Sequence, residues 1–382
     1  MAGASGDQGR VLLAVDGNSL VHRSFHAQAH TGLRRDDGRP MWAVRGLLAQ
    51  LVAAVERIGP DVVVVGFDDA DVNSRRDRWP RYKAARSDKL PTLVGQLELA
   101  AEVLRRLGVA VVVPPGLEAD DVLASAARFA PTVGATTVVM TSDRDAFALI
   151  DEHTRVLRII NGGVEASPVL TGDRLMTMLG IRPDQYRDYS ALRGDPSDNL
   201  PGVRGIGPKT AARLLAELGS AGAAFDDVAG DGALVRAAVG AAAARHLGHA
   251  DARAAWELNC QVMRMHDDVP LGLDPSTGPG CLPLPAHAVR ASFEAHRLAT
   301  MVNPALRVLA GQDEPAPAPR TPWPPMQRDA VARRWPAVES SAVAADGGAR
   351  SWTRSRHSAP VASTSGRRRP VAAGVQQPSL FD

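Results

Sequence analysis

Nine acidic side chains fall before residue 200 at places where carboxylates can gather around a cation: Asp16, Asp68, Glu118, Asp120, Asp121, Asp143, Asp145, Asp195 and Asp198. A lone Asp after a strand is usually a turn former or an N-cap. An acid in the first turn of a helix complements the helix dipole. The set as a whole asks for more. Acids brought to one sheet edge repel each other and raise each other's pKa. A divalent cation removes that cost, and Mg²⁺ favours a few carboxylates together with water and phosphate oxygens. Two ions roughly 4 Å apart can clamp the attacking and leaving oxygens of a phosphodiester. The acids therefore point to metal-dependent phosphoryl chemistry. In "GLEADDVLA" (116–124), Glu118 and Asp121 would share a helix face whereas Glu118 and Asp120 would not. For all three to reach one site, Glu118 must sit in the turn before the helix.

The elements that position these acids can be read from the surrounding pattern. "VLLAVDGN" (11–18), "DVVVVGFDD" (61–69), "VAVVV" (109–113) and "ATTVVMTSDRD" (135–145) are apolar runs with little alternation, as in strands covered on both faces. Helical patterns at 43–59 and 92–108 each end in glycine. Strands alternating with helices imply a parallel α/β sheet, with ligands at the carboxyl ends of the strands. Asp16, Asp68 and Asp143 fall there. Between Asp69 and Pro91 the pattern breaks into the basic stretch "ADVNSRRDRWPRYKAARSDKL", an excursion suited to steering a phosphate backbone. Residues 183–260 read as helical and alanine-rich. Within them "GVRGIG" (202–207), followed by "PKTAARLLAELG", reads as a glycine hairpin entering a helix. Its backbone N–H groups, with Lys209 and Thr210, can hold a phosphate.

Composition narrows the class. The 382 residues carry a formal net charge of +2 and are 45% hydrophobic. Ten arginines against six acids after residue 310 leave the preceding body slightly acidic. An acidic body with a basic tail is no generic basic nucleic-acid coat. Lysine occurs only at Lys83, Lys89 and Lys209, in a chain that otherwise uses arginine. The two cysteines lack metal-like spacing and argue against a disulfide framework. The N-terminal "MAGASGDQGR" has no apolar h-region and no run suits a bilayer span, so the expectation is a soluble cytoplasmic protein, nucleoid-associated and free of membrane. The segment from "DEPAPAPRTPWPP" onward is rich in Pro, Ala, Ser and Arg and is expected to be disordered.

Five motifs in order, "VDGNSLVHRSFHA", "GFDDA…RYKAAR", "GLEADDVLA", "TSDRDAFAL" and "GDPSDNLPGVRGIGPKTAA", resemble the bacterial and phage 5′-nucleases, which include the N-terminal nuclease domain of DNA polymerase I and the flap endonucleases. The resemblance covers roughly residues 10–305. It implies a PIN-like parallel sheet flanked by helices, a helical arch, and a helix–three-turn–helix (helix–hairpin–helix) module. On that basis the expected organisation is a catalytic domain over 10–182, a DNA-binding helical region over 183–309, a disordered linker over 310–375 and a short motif over 376–382. Asp16, Asp68, Glu118, Asp120, Asp121 and Asp143 would supply a first metal site, and Asp145, Asp195 and Asp198 a second. Two Mg²⁺ ions are implied, with Mn²⁺ as a substitute. Lys83 and Arg86 would meet the scissile phosphate, alongside Asp143 as a catalytic acid. Arg23 would contact DNA and Tyr82 would stack on a base. Gly202, Gly205 and Gly207 would track the duplex backbone and can hold a K⁺ ion. The polymerase domain of the polymerase I relatives is not part of this sequence.

The C-terminal "QQPSLFD" resembles the short motif that binds the bacterial sliding clamp, with Gln377, Leu380 and Phe381 as its anchors. The expected activity is 5′-3′ exonuclease and flap endonuclease action on DNA with 5′ flaps, nicks or 5′ ends, by a monomer. A PIN-type ribonuclease would carry a smaller acidic set and no hairpin module. A haloacid-dehalogenase-like phosphatase would need Asp where Asn18 stands. A branched-DNA-binding module, tethered to the clamp and with little catalysis, would show gaps in the acid set.

Overall fold

Strand β1 (Arg10–Asp16) passes directly into helix α1 (Gly17–Gln28), because the last strand residue is also the helix cap: Asp16 Oδ1 accepts from the Ser19 amide at 2.8 Å. The chain is described here by a computed structural model that covers residues 9–312. Helix α2 (Trp42–Ile58) follows and ends at Gly59 in the left-handed region. Strand β2 (Val62–Gly66) is buried along its whole length. Helix α4 (Pro91–Leu107) likewise stops at a left-handed glycine, Gly108. Strand β3 (Ala110–Val112), helix α5 (Ala119–Thr132) and strand β4 (Ala135–Thr141) complete the alternation read from the sequence. The stretch expected as a helical arch, between β2 and α4, is helical only over the five residues of α3 (Ser74–Arg78) and otherwise runs in turns and extended chain. It has no apolar stripe to bury, and Pro80 cannot continue the helix.

Two further strands close the sheet, β5 (Thr154–Arg158) and β6 (Val169–Leu170), with the short helix α6 (Gly163–Ala166) between them. The order is β3-β2-β1-β4-β5-β6, with every pairing parallel except β5 to β6. Asp16 lies opposite Gly66, Val15 opposite Met140, and Thr141 opposite Arg158. The strand ends therefore finish on one line, which puts the residues after them at one edge.

Because successive strand residues face opposite sides, β1 serves two cores. Val11, Leu13 and Val15 pack with α1, α2 and α4. Leu12 and Ala14 pack under α5 and into the helical part of the chain. That part comprises α7 (Gly172–Leu179), α8 (Tyr186–Arg193), a two-strand ladder of β7 (Gly194–Asp195) and β8 (Leu200–Pro201), and helices α9 (Pro208–Leu218), α10 (Ala221–Ala229), α11 (Ala233–Val239), α12 (Ala241–Leu247) and α13 (Ala252–Val262). Helices α14 (Ala286–Ala295) and α15 (Ala299–Ala310) do not extend it. They return to the first core, where Phe293 and Leu309 pack with the residues of α2 and α4. No described helix is long and apolar enough to cross a membrane. Of the linker expected over 310–375, Ala310 still ends α15; its remainder from residue 313 and the motif residues Gln377, Leu380 and Phe381 lie outside the described residues.

Candidate active site

Three strand ends carry the acids, and hydrogen bonds fix their spacing. The Thr141 hydroxyl donates to Asp16 Oδ2 at 2.7 Å and accepts from the Asp143 amide at 3.0 Å. Asp143 Oδ1 in turn accepts from the Asp145 amide at 3.0 Å. One buried threonine thus ties the end of β1 to the loop after β4. Asp68 is held on the other side: its Oδ1 accepts from the Ala119 amide at 3.0 Å, and the Asn18 side chain exchanges hydrogen bonds with its carboxylate and amide. Asp120 lies in the first turn of α5. Asp195 ends β7 and Asp198 sits in the turn between β7 and β8, where Asp195 Oδ1 accepts from the Ser197 amide at 2.8 Å.

The electrostatics show which of these acids share a space. Burial pushes Asp16 up to about 7, with the charges of Asp68 and Asp143 adding to it against the Ser19 and Thr141 donors. Asp120 is pushed well above the ordinary carboxylate range by burial, then by Asp143 and Asp16. Asp145 is pushed the same way by burial, then by Asp143 and Asp195. Asp198 is raised by burial although Lys83 and Arg86 oppose it. Asp143 is the neighbour common to both groups, and its side chain is exposed at the centre of the cluster.

Such a set fits a hard divalent cation in donor type and in its need for positive charge. Among the described residues, however, no three acid, histidine or cysteine side chains close on a common coordination point as they stand.

Glu118 and Asp121 differ from the expectation drawn for them. Glu118 does sit in the turn ahead of the helix, as the N-cap of α5, where its amide donates to Asp121 Oδ2 and its carbonyl accepts from the Asp121 amide. Both carboxylates are then saturated by donors. Asp121 accepts from both terminal nitrogens of Arg75, at 2.6 and 2.8 Å, and from the amides of His266 at 2.7 Å and Glu118 at 3.0 Å. That fills its four lone-pair positions, so Asp121 is a scaffold residue and not a metal ligand here. Glu118 accepts from Lys83 Nζ at 2.6 Å, Asn73 at 2.9 Å, Tyr82 at 3.1 Å and Arg75 at 3.2 Å. Burial pushes its carboxyl up, but Lys83 and Arg75 outweigh that and hold it below the ordinary range. It can ligate a cation only if one of these donors lets go. Tyr82 is also corrected: it is 6% exposed, packed with Leu200 and Val262, and has no face free for a base.

Tyr82 belongs to a joint between the basic excursion and the loop before the glycine hairpin. Lys83 adopts φ 56°, an uncommon left-handed state for a lysine, and its amide donates to the Asp198 carbonyl at 2.9 Å. Asn199, at φ 57°, donates to the Arg81 carbonyl at 2.8 Å. Arg86 pairs with the Asp198 carboxylate, and Lys89 lies 3.5 Å from Asp68. Lys83, Arg86 and Lys89 therefore each face an acid of the cluster.

Beyond the joint, Gly202 lies against the Arg193 carbonyl: a Cβ there would stand 2.2 Å from its carbon and oxygen. Gly205 has φ +77° and its missing Cβ would meet the His246 ring. Gly207 caps α9 without a side-chain acceptor, Lys209 is exposed and Thr210 is half-buried. Arg23, on α1, donates to Asn161 at 2.8 Å. Sequence reasoning missed Arg75, Thr141 and Asn18, which hold the acids in place.

Residues 11–180 match the family model for the 5′-3′ exonuclease N-terminal resolvase-like domain, and residues 181–279 match that for the 5′-3′ exonuclease C-terminal SAM fold. The chain is 37% identical over 266 residues to DNA polymerase I of Mycobacterium tuberculosis (strain ATCC 25618 / H37Rv), covering 70% of this chain and 28% of that protein. It is 42% identical over 213 residues to the thermostable DNA polymerase I of Thermus aquaticus, covering 56% of this chain and 24% of that one. The chain thus spans about a quarter of the length of these relatives. Among solved structures, T5 D15 protein co-crystallised with metal ions aligns with a TM-score of 0.54 at 17% identity, over 78% of this chain and 100% of that one. The catalytic core of Rad2 in complex with DNA substrate aligns at 0.50 and 15% identity, over 79% and 92%. These two share the fold. The two family domains follow each other without a gap, and on that ground the chain belongs to the 5′-3′ exonuclease family.

Proposed function

We propose that the protein is a divalent-metal-dependent 5′-3′ exonuclease and flap endonuclease acting on DNA. The observation that carries this reading is the one exposed carboxylate of the cluster, Asp143, shared by two groups of acids that Arg86 and Lys89 of the basic excursion face. Asp16, Asp68, Asp120 and Asp143 would hold one ion and Asp145, Asp195 and Asp198 the other. Bound Mg²⁺, or Mn²⁺ in its place, would supply the charge and the water activation that phosphodiester hydrolysis requires. In that hydrolysis water adds to phosphorus, one P–O bond breaks, and the departing oxygen takes a proton.

Lys83 and Arg86 serve the phosphate, exchanging their carboxylate partners for its oxygens and stabilising the charge that develops there. Gly202, Gly205, Gly207, Lys209 and Thr210 hold the duplex backbone, with Arg23 as a further contact and K⁺ as an ion for the hairpin. The joint between Lys83 and Asp198 keeps that grip at a fixed distance from the cut. The terminal Gln377, Leu380 and Phe381 would tether the enzyme to the sliding clamp, raising its local concentration at flaps. Deleting 376–382 is expected to abolish clamp binding while leaving cleavage of free DNA intact.

The test is cleavage of a labelled 5′-flap DNA duplex and its all-RNA counterpart, with Mg²⁺ or with EDTA. The reading expects DNA cut near the flap junction only with the metal. Tight flap binding without cutting would favour the branched-DNA-binding module, and cutting confined to RNA would favour a ribonuclease.

A further inference from the structure

Arginines at the site are mostly neutralised by acids, as Arg75 and Arg86 are. Arg158 and Arg193 are not. Both are half-buried, and neither side chain makes a hydrogen bond or ion pair among the described residues. The Nε of each is buried without an acceptor. Each guanidinium rests on an aromatic ring instead: Arg158 lies 5.8 Å from the centroid of Phe147, and Arg193 lies 5.6 Å from that of Tyr189. Tyr186 joins the two rings, at 5.4 Å from Phe147 and 6.0 Å from Tyr189. The aromatic wall fixes the direction of both side chains and neutralises neither.

Their place in the fold is equally specific. Arg158 ends β5 in register with Thr141, two residues before Asp143. Arg193 ends α8, two residues before Asp195. Arg158 feels the charge of Asp143 and is crowded by Arg144, while Arg193 faces Tyr186 together with Asp145. The excursion carrying Lys83 and Arg86 leaves the sheet from β2, on the opposite side of β1 and β4. Arg158 thus lies across β1 and β4 from the strand that launches that excursion. A half-buried guanidinium without a counterion is costly, and an anion arriving from solution would remove that cost.

We propose that Arg158 and Arg193 form a phosphate-binding subsite for an internal phosphodiester of the DNA strand lying across the acids. The inference rests on the nuclease reading. Arg158 ends β5, the strand beside β4, whose end leads to Asp143.

The experiment measures binding of a fluorescent 5′-flap duplex by anisotropy in Ca²⁺ across about 50–200 mM salt, a range over which phosphate contacts are strongly screened, for the full chain and for the Arg158→Gln/Arg193→Gln double variant. Loss of one phosphate contact lowers the slope of log K against log salt by about 0.9 and weakens binding. The same loss is expected with 5′-hydroxyl and 5′-phosphorylated flaps. A loss confined to phosphorylated ends would assign the subsite to a terminal phosphate and overturn the diester assignment. The Arg158→Lys/Arg193→Lys variant keeps the charges and is expected to restore the slope, which a purely structural role would not predict. This variant also carries the test should the glutamines lower the melting temperature. An unchanged slope in a folded double variant, with the parent still cutting flaps in Mg²⁺, overturns the subsite alone. A parent that cuts no flap overturns the nuclease reading, and the subsite with it.

Discussion

Replacing Arg75 with methionine removes the charge that compensates Asp121, a side chain with 0% exposure. Arg75 donates to Asp121 at 2.6 and 2.8 Å, to Glu118 at 3.2 Å and to the Arg264 carbonyl at 2.9 Å. Methionine fills most of the same volume, so the loss is chiefly electrostatic. Breaking a buried pair by removing one partner costs about 3–5 kcal/mol. At roughly 2–4 °C per kcal/mol for a large domain, the melting temperature should fall by roughly 6–20 °C. Urea denaturation of the parent, Arg75→Met, Asp121→Asn and the double variant gives the coupling directly. The double variant buries no unpaired charge, so a coupling of at least about 2 kcal/mol is expected, well beyond the about 0.5 kcal/mol scatter of independent sites. A loss below about 1 kcal/mol, or additive singles, would refute the scaffold assignment of Asp121 and return it to the candidate ligands.

Without divalent ions, stability should fall as pH rises from about 4 through about 7. Asp16, Asp120 and Asp145 hold their protons more tightly folded than unfolded, so the stability they contribute is complete at low pH and is lost as they ionise. Glu118 acts in the opposite sense, and its contribution disappears only as the pH falls below the ordinary carboxylate range. Melting temperatures in EDTA should decline between pH 5 and 8, whereas Mg²⁺ should flatten the decline; a rise in EDTA would contradict the acid cluster. Gly202→Ala should unfold the hairpin or abolish duplex binding, because its methyl would stand 2.2 Å from backbone atoms of Arg193; near-parental binding and melting temperature would count against the close approach. Lys83→Met should slow single-turnover flap cleavage by about 10²–10³ and should also lower the melting temperature, because Glu118 loses the charge that most opposes its burial. A parental rate would remove Lys83 from the phosphate.

The legible part of the fold was the part with strong local pattern. The β-branched runs inside 11–18, 61–69, 109–113 and 135–145 are strands because burial on both faces needs continuous apolar sequence. Gly59 and Gly108 marked their helix ends because each takes the left-handed turn that stops the helix. Strands β5 and β6 escaped notice: "TRVLR" carries two arginines among its five residues and β6 has only two residues. The positions of the acids could be read, but their partners could not. Arg75 stands among the exposed basic residues of "SRRDR", 46 residues before Asp121, and burial alone separates it from its neighbours. Glu118 and Asp121 were grouped with the ligands for that reason, since saturation by distant donors leaves no local trace. Thr141 and Asn18 lie inside quoted motifs, where a threonine or asparagine draws less notice than the acid it orients.

Asp143 tests the account most directly, because both groups of acids meet on it. Single-turnover cleavage of a 5′-flap DNA duplex in Mg²⁺ should proceed with the parent and be lost with Asp143→Ala, while the variant still binds the flap and melts cooperatively. Cleavage by a folded Asp143→Ala at the parental rate would contradict the convergence of the acids on one catalytic centre.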